Sequence, residues 1–133
     1  MVQRRSAGLL TRVVGRRWRD YETAAGTRPV KEFIASLSDA DAAEVAAAMS
    51  EVKRDGLRAA RHLRGEIWEV RANGEFETFR VLFASEGLKG RILLALEGFS
   101  KKDQKTPPHL IKLAEKRLAD WRDRGRTRFR RTP

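Results

Sequence analysis

Three apolar runs between Glu66 and Glu97, separated by turn signals, restrict the fold of this chain more than any other feature. EIWEVRA (Glu66 to Ala72) alternates, with Ile67 and Val70 inward and Trp68 shifted outward. Asn73-Gly74 is the strongest short hairpin signal a sequence offers. Phe76 to Ala84 follows and turns at Glu86-Gly87, and RILLALE (Arg91 to Glu97) is apolar enough for a central strand. The segments around this meander have helical period. Pro29 opens PVKEFIASL, with Val30, Phe33, Ile34 and Leu37 on one face. Ser38 or Asp39 caps a longer helix with the stripe Ala42, Val45, Met49 and Val52 and a stop at Gly56. Thr106 caps a last helix with Pro107 at its first position and Leu110, Leu113, Ala114, Leu118 and Trp121 on its buried face. Trp18 to Thr23 reads as a first strand. The order predicts an α+β fold: a small antiparallel or mixed sheet of about four strands, two N-terminal helices packed on one side, and a C-terminal helix. The helices are expected to segregate to one side of the sheet.

The chain has 133 residues, enough for one domain with a modest core. A formal charge of +11 on so small a domain makes an anionic partner the leading expectation, against a basic surface that serves only solubility. The charge is uneven. Six basic residues and no acidic one precede Asp20, among them Arg4, Arg5 and Arg12. Lys116 to Arg131 holds eight basic residues against Asp120 and Asp123, whereas Asp39 to Glu51 holds four acidic residues and no basic one. This divides the chain into a basic extension (1–17), a domain (18–124) and a basic tail (125–133). Cysteine is absent, so there is neither a disulfide nor a thiolate nucleophile, which fits a reducing cytosol. No apolar run approaches the roughly 18 residues of a membrane helix, and the pieces within Met1 to Gly15 are too short for a signal peptide. The expectation is a soluble, cytoplasmic protein with no membrane association.

LALEGFSKKDQKTPP (Leu94 to Pro108) reads as a strand that ends abruptly at Phe99 and gives way to Lys101, Lys102 and Lys105. Cations displayed where a strand leaves a sheet, beside an aromatic ring, suit a phosphate backbone. Alternation on the preceding strand sets Phe79, Val81 and Phe83 on one face and Arg80 and Leu82 on the other.

RHLRGEIWEVR, FRVLF and LEGFSKKDQKTP, in this order and spacing, resemble the RelE/HigB superfamily of bacterial toxins, in particular its phage-type HigB branch. The resemblance runs from about Tyr21 to about Trp121. It implies a ribosome-dependent mRNA endoribonuclease that cuts in the A site, needs no metal or cofactor, and is neutralised by a helix-turn-helix antitoxin; dependence on a chaperone is left open by the sequence. The RNA's own 2′-hydroxyl attacks the adjacent phosphate, and the enzyme supplies cations, a stacking surface and proton transfer. On this reading Arg80, Arg71, Lys101 and Lys102 are catalytic, and Arg61, Arg64, Phe99 and Lys105 bind RNA. Of Lys101 and Lys102, one is expected to touch phosphate and the other solvent, and the rest have plainer readings. Arg80 could be an exposed strand arginine paired with Glu69 or Glu77, and Arg71 could neutralise Glu69 or Glu75. Arg61 and Arg64 sit in a basic loop, Lys105 could meet nearby carbonyls or Asp103, and Phe99 could belong to the core.

The best-studied RelE-type enzymes carry two lysines on the first meander strand and a tyrosine near the C-terminus. Here that strand reads Ile67-Trp68-Glu69, and the only tyrosine is Tyr21. A general base is therefore not obvious. Glu69 and Glu97 are candidates by position or else salt-bridge partners; His62 in the basic loop could shuttle protons or be inert; His109 reads as structural. Two separated histidines without cysteine argue against a zinc site, and no glycine-rich phosphate loop is present. The alternative to the enzyme is a non-catalytic nucleic-acid binder or degenerate toxin that acts through its partner.

Overall fold

The computed structural model describes the backbone of residues 15–102 and 105–131, and side chains as far as Arg126. Arg4, Arg5, Arg12 and Asp103 lie outside the described residues. The elements are β1 (Arg17–Asp20), α1 (Pro29–Ala35), α2 (Asp39–Asp55), β2 (Arg61–Arg64), β3 (Ile67–Asn73), β4 (Thr78–Glu86), β5 (Ile92–Lys101) and α3 (Pro108–Arg131). The strands form one five-stranded sheet in the order β1-β5-β4-β3-β2, with β1 parallel to β5 and the other pairs antiparallel. The α+β architecture is thus as the sequence predicts, with one strand more.

The extra strand is β2. RHLR was expected in a loop, but Arg61 pairs with Glu69 and His62 with Trp68 along the sheet edge. Its residues are largely exposed, so the apolar alternation that announces a half-buried strand is missing. The β3–β4 connection also differs. Gly74 N–H donates to Glu77 carbonyl at 2.9 Å, and β4 starts at Thr78, which leaves Phe76 exposed in the loop.

The helices do not share one side. Val70, Ala72, Phe79, Val81, Phe83, Leu93 and Ala95 cover one face with Val30 of α1 and Val45 and Val52 of α2. Ile67, Leu82, Ala84, Leu94 and Leu96 cover the other with Ala114 and Leu118 of α3. The central strands are apolar on both faces and so demand two covering layers. Within α3, Ile111 rather than Leu113 joins Leu110 and Trp121 around this second cluster.

Both ends of α2 are fixed by identifiable groups. Ser38 Oγ accepts Asp41 N–H at 3.2 Å at the start of α2, and Gly56 ends it at φ +80°. Arg16 donates to the carbonyls of Lys53 and Arg54, both at 3.2 Å, satisfying acceptors that the helix leaves open. Ser38→Ala should lower stability by about 1 kcal/mol, read as a shift of the urea midpoint at unchanged slope.

One irregularity decides what the far end of β5 displays. Leu82 pairs with Glu97 but Phe83 pairs with Ala95, so Leu96 is an extra residue. Before this bulge the even-numbered residues Leu94 and Leu96 face α3; beyond it the odd-numbered Glu97, Phe99 and Lys101 do. Gly98 then points to the opposite face, where an added Cβ would lie 2.8 Å from Phe33 Cγ. Gly98→Ala should therefore displace α1 and destabilise by about 1–3 kcal/mol, measurable by the same denaturation.

Candidate nucleic-acid interface

β5 does not stop at Phe99. Ser100 pairs with Phe79 and Lys101 with Thr78, so the long partner strand carries the ladder past the end of the apolar run. Three rows of side chains consequently cross the sheet in register on the α3 face. The first contains Arg61, Glu69, Leu82 and Glu97; the second Arg71, Arg80 and Phe99; the third Asn73, Thr78 and Lys101. Directly opposed residues on neighbouring strands have Cβ atoms about 5 Å apart, so the second row places two guanidinium groups and a ring side by side.

Glu69 is the hub of these rows. It is 0% exposed, and its Oε2 accepts Arg71 Nε–H at 2.6 Å. Its Oε1 accepts the Thr106 hydroxyl and lies 3.7 Å from Arg80 Nη1. Arg80 Nη1 in turn donates to Thr106 Oγ1 at 3.0 Å, and the Arg80 Cζ stands 6.0 Å from the Phe99 ring centre. A buried carboxylate is tolerable because several charge-assisted bonds replace its water. Among the described residues, Arg71 and Arg80 gather around this one buried carboxylate, and Lys101 stands in the next row on the same face.

Arg80 lies deeper than an exposed strand arginine would. It is only 1% exposed, beneath Thr106, instead of standing at the surface to grip an incoming phosphate. Arg71, with a side chain 23% exposed, is the arginine of the pair that reaches the rim. Lys101 is half-buried in the third row, while Lys102 and Lys105 are exposed on either side of the corner. Thr106 was expected to cap the last helix. Instead the Pro107 carbonyl accepts the first helical N–H groups, those of Leu110 at 3.1 Å and Ile111 at 3.4 Å, and Pro108 takes the first helical position. The residue before a proline favours extended backbone, and Thr106 is turned inward to the network. The sequence signal for Thr106 was the paired prolines behind it; only the tertiary fold shows that its hydroxyl meets Glu69 and Arg80.

The remaining candidates divide. Arg61 is exposed and opposite Glu69, next to the second row. Arg64 is drawn away to α3, donating to Glu115 at 2.6 Å, and this bond raises its pKa above the ordinary guanidinium value. Phe99 is half-buried and packs with the α3 cluster. Glu97 pairs with Arg117 at 3.3 Å, which takes it up as a salt-bridge partner. His62 lies 2.7 Å from the Gly65 carbonyl with its ring 4.9 Å from Trp68, and His109 is exposed in the first turn of α3.

A separate cleft of about 780 Å³ lies between β1 and the C-terminal half of α3, with Trp18, Arg28, Trp121, Arg122 and Arg124 in its wall. Four of the five arginines that line it are matched by carboxylates: Arg122 by Glu66 and Glu86 at 2.7 and 2.6 Å, Arg124 by Asp120 at 2.8 Å, Arg28 by Glu22 at 3.6 Å and Arg126 by Asp123 at 3.7 Å. Volume alone does not make it the polyanion site, because little positive charge is left over there.

The fold and this face together define an α+β domain with cationic side chains braced by a buried carboxylate at the end of its sheet. Residues 32–119, about two thirds of the chain, match the family described as Phage derived protein Gp49-like. The chain belongs to this phage-derived Gp49-like family, which is associated with RelE/HigB-like toxins. No curated protein gives a significant match. Among the described residues no helix is long and apolar enough to cross a membrane.

Proposed function

We propose that this protein is the toxin of a toxin–antitoxin pair of the HigB-like branch, a cytoplasmic, ribosome-dependent endoribonuclease that cleaves mRNA in the A site. The observation that carries the reading is the cross-strand row Arg71–Arg80–Phe99 beside Lys101, on one face and at one end of the sheet. The 2′-hydroxyl of the RNA attacks the neighbouring phosphorus, the P–O5′ bond breaks, and a 2′,3′-cyclic phosphate and a 5′-hydroxyl result. Arg71 and Lys101 stabilise the charge that builds on the phosphoryl oxygens, Lys102 and Lys105 attract the strand, and Arg61 extends the contact along β2. Arg80 contributes from beneath, through its charge and its hold on Thr106. Phe99 offers its half-exposed ring to a base.

The candidate bases are otherwise engaged: Glu69 is buried, Glu97 is paired with Arg117, and His62 is tied to Gly65. Catalysis therefore rests on charge and positioning, with the ribosome supplying much of the substrate geometry. The same engagement of carboxylates favours the second reading, a non-catalytic nucleic-acid binder or degenerate toxin. Partners on the first reading are the ribosome, mRNA and a helix-turn-helix antitoxin, with a chaperone as a further candidate. The exposed Asp39, Glu44 and Glu51 of α2 offer a surface to a basic partner and the lysine corner to an acidic one.

Expression in a bacterial host decides between the two. The enzyme arrests growth and produces new mRNA ends inside translated codons; a binder that leaves mRNA intact while associating with RNA supports the second reading. Lys102→Ala should flatten the fall of RNA affinity with salt by about 0.7 on log–log scales, one phosphate contact fewer.

A further inference from the structure

The fully buried Glu69 stands at the centre of a face read as a phosphate site, where a carboxylate by itself weakens anion binding. It is 0% exposed and cannot touch a substrate. An apolar residue would fill the same space without the cost of burying a charge. What Glu69 does hold is Arg71, through a 2.6 Å bond from Nε–H to Oε2. Glu69 and Arg71 are two residues apart on β3, so alternation puts both side chains on the α3 face. Without a partner, a long arginine side chain on that face would sample many rotamers. The bond to Oε2 fixes one edge of the planar guanidinium and so sets the direction of the rest. The second oxygen is fixed as well, because Oε1 accepts the Thr106 hydroxyl and sits beside Arg80. Pinned at both oxygens, the carboxylate resists the rotation that would release Arg71.

Resting on the reading of this face as the site of RNA cleavage, we propose that Glu69, locked by the Thr106 hydroxyl, is a positioning residue that aims Arg71 at the scissile phosphate. Thr106 directly follows Lys105, so the same hydroxyl ties the lysine corner to the arginine pair. The corner cations and the sheet cations then keep a constant spacing, which a phosphate oxygen in transition requires.

The full chain is tested as wild type and as Glu69→Gln, Thr106→Val, Thr106→Ser and Arg71→Lys. Folding is followed by thermal denaturation, the arginine Nε–H groups by ¹⁵N NMR, and cleavage by single turnover on ribosomes programmed with a defined mRNA. Glu69→Gln preserves shape and should lose the slow-exchanging Arg71 Nε–H signal. Its cleavage rate should fall about 100-fold while its affinity for the programmed ribosome moves by less than about threefold, the mark of misdirected rather than missing charge. Thr106→Val should slow cleavage about tenfold, and Thr106→Ser, which keeps the hydroxyl, should restore it. The two threonine variants stand by themselves if Glu69→Gln fails to fold. A folded Glu69→Gln that cuts at the wild-type rate overturns the inference, as does a Thr106→Ser as slow as Thr106→Val. When Arg71→Lys is slow but Glu69→Gln is not, only the positioning role falls. A wild type that leaves ribosome-bound mRNA intact removes the cleavage reading and this inference with it.

Discussion

Arg80→Ala is expected to cost the protein a large part of its stability. Its guanidinium is 1% exposed, donates to Thr106, lies 3.7 Å from the Glu69 carboxylate and stacks towards Phe99. Removing it leaves a buried carboxylate with half of its counter-charge gone and a cavity beneath Thr106. Breaking a buried pair from one side typically costs about 3–5 kcal/mol. A small domain has about 5–15 kcal/mol in all. The urea midpoint should drop accordingly at constant slope, and the hydrogen-exchange protection of β4 with it. An unchanged midpoint would show that the network contributes nothing to the fold. Loss of toxicity in this variant therefore says little about chemistry, although Arg80 is the arginine that the sequence alone singles out.

Arg71→Lys and Lys101→Ala carry the opposite expectation: a large effect on cleavage and a small one on folding. Both positions reach the rim, and Arg71→Lys keeps a cation while giving up the planar, two-pronged geometry suited to a phosphate and the Nε–H bond to Glu69. Each should reduce the single-turnover rate about 10²–10³-fold, the usual consequence of removing one preorganised donor at a developing oxyanion. Stability should fall by only about 1 kcal/mol, one hydrogen bond or less. Measured together on the same preparations, rate and urea midpoint separate these two positions from Arg80.

Much of the fold was legible because its signals are local. Helix caps such as Ser38, the stop at Gly56 and the 3.6-residue stripes of α1 and α2 are fixed by neighbouring residues, and they lie where the sequence places them. The alternation of Phe79, Arg80, Val81, Leu82 and Phe83 likewise correctly assigned Arg80 to the face opposite the aromatic core. What the sequence does not show is non-local. RHLR gains its strand only from pairing with β3, so no apolar pattern marks it. The face shown by Phe99 and Lys101 depends on the bulge at Leu96. Simple alternation from Leu94 would have turned both of them away from Arg80. The depth of Arg80 follows from Thr106, twenty-six residues away in sequence. The side of the sheet that α3 covers is a tertiary choice as well, readable only in the fact that β4 and β5 are apolar on both faces.

The central claim is that Arg71 and Lys101 act together on one phosphodiester of a ribosome-bound message. The most direct measurement is primer extension on a defined mRNA held in programmed ribosomes, with purified wild-type protein, Arg71→Lys and Lys101→Ala at equal folded concentration. The account predicts a cut within the A-site codon by the wild type, slowed at least about 100-fold by either substitution, and no comparable cutting of the same RNA without ribosomes. Equal cutting by all three proteins, or rapid cleavage of the free RNA, would contradict it.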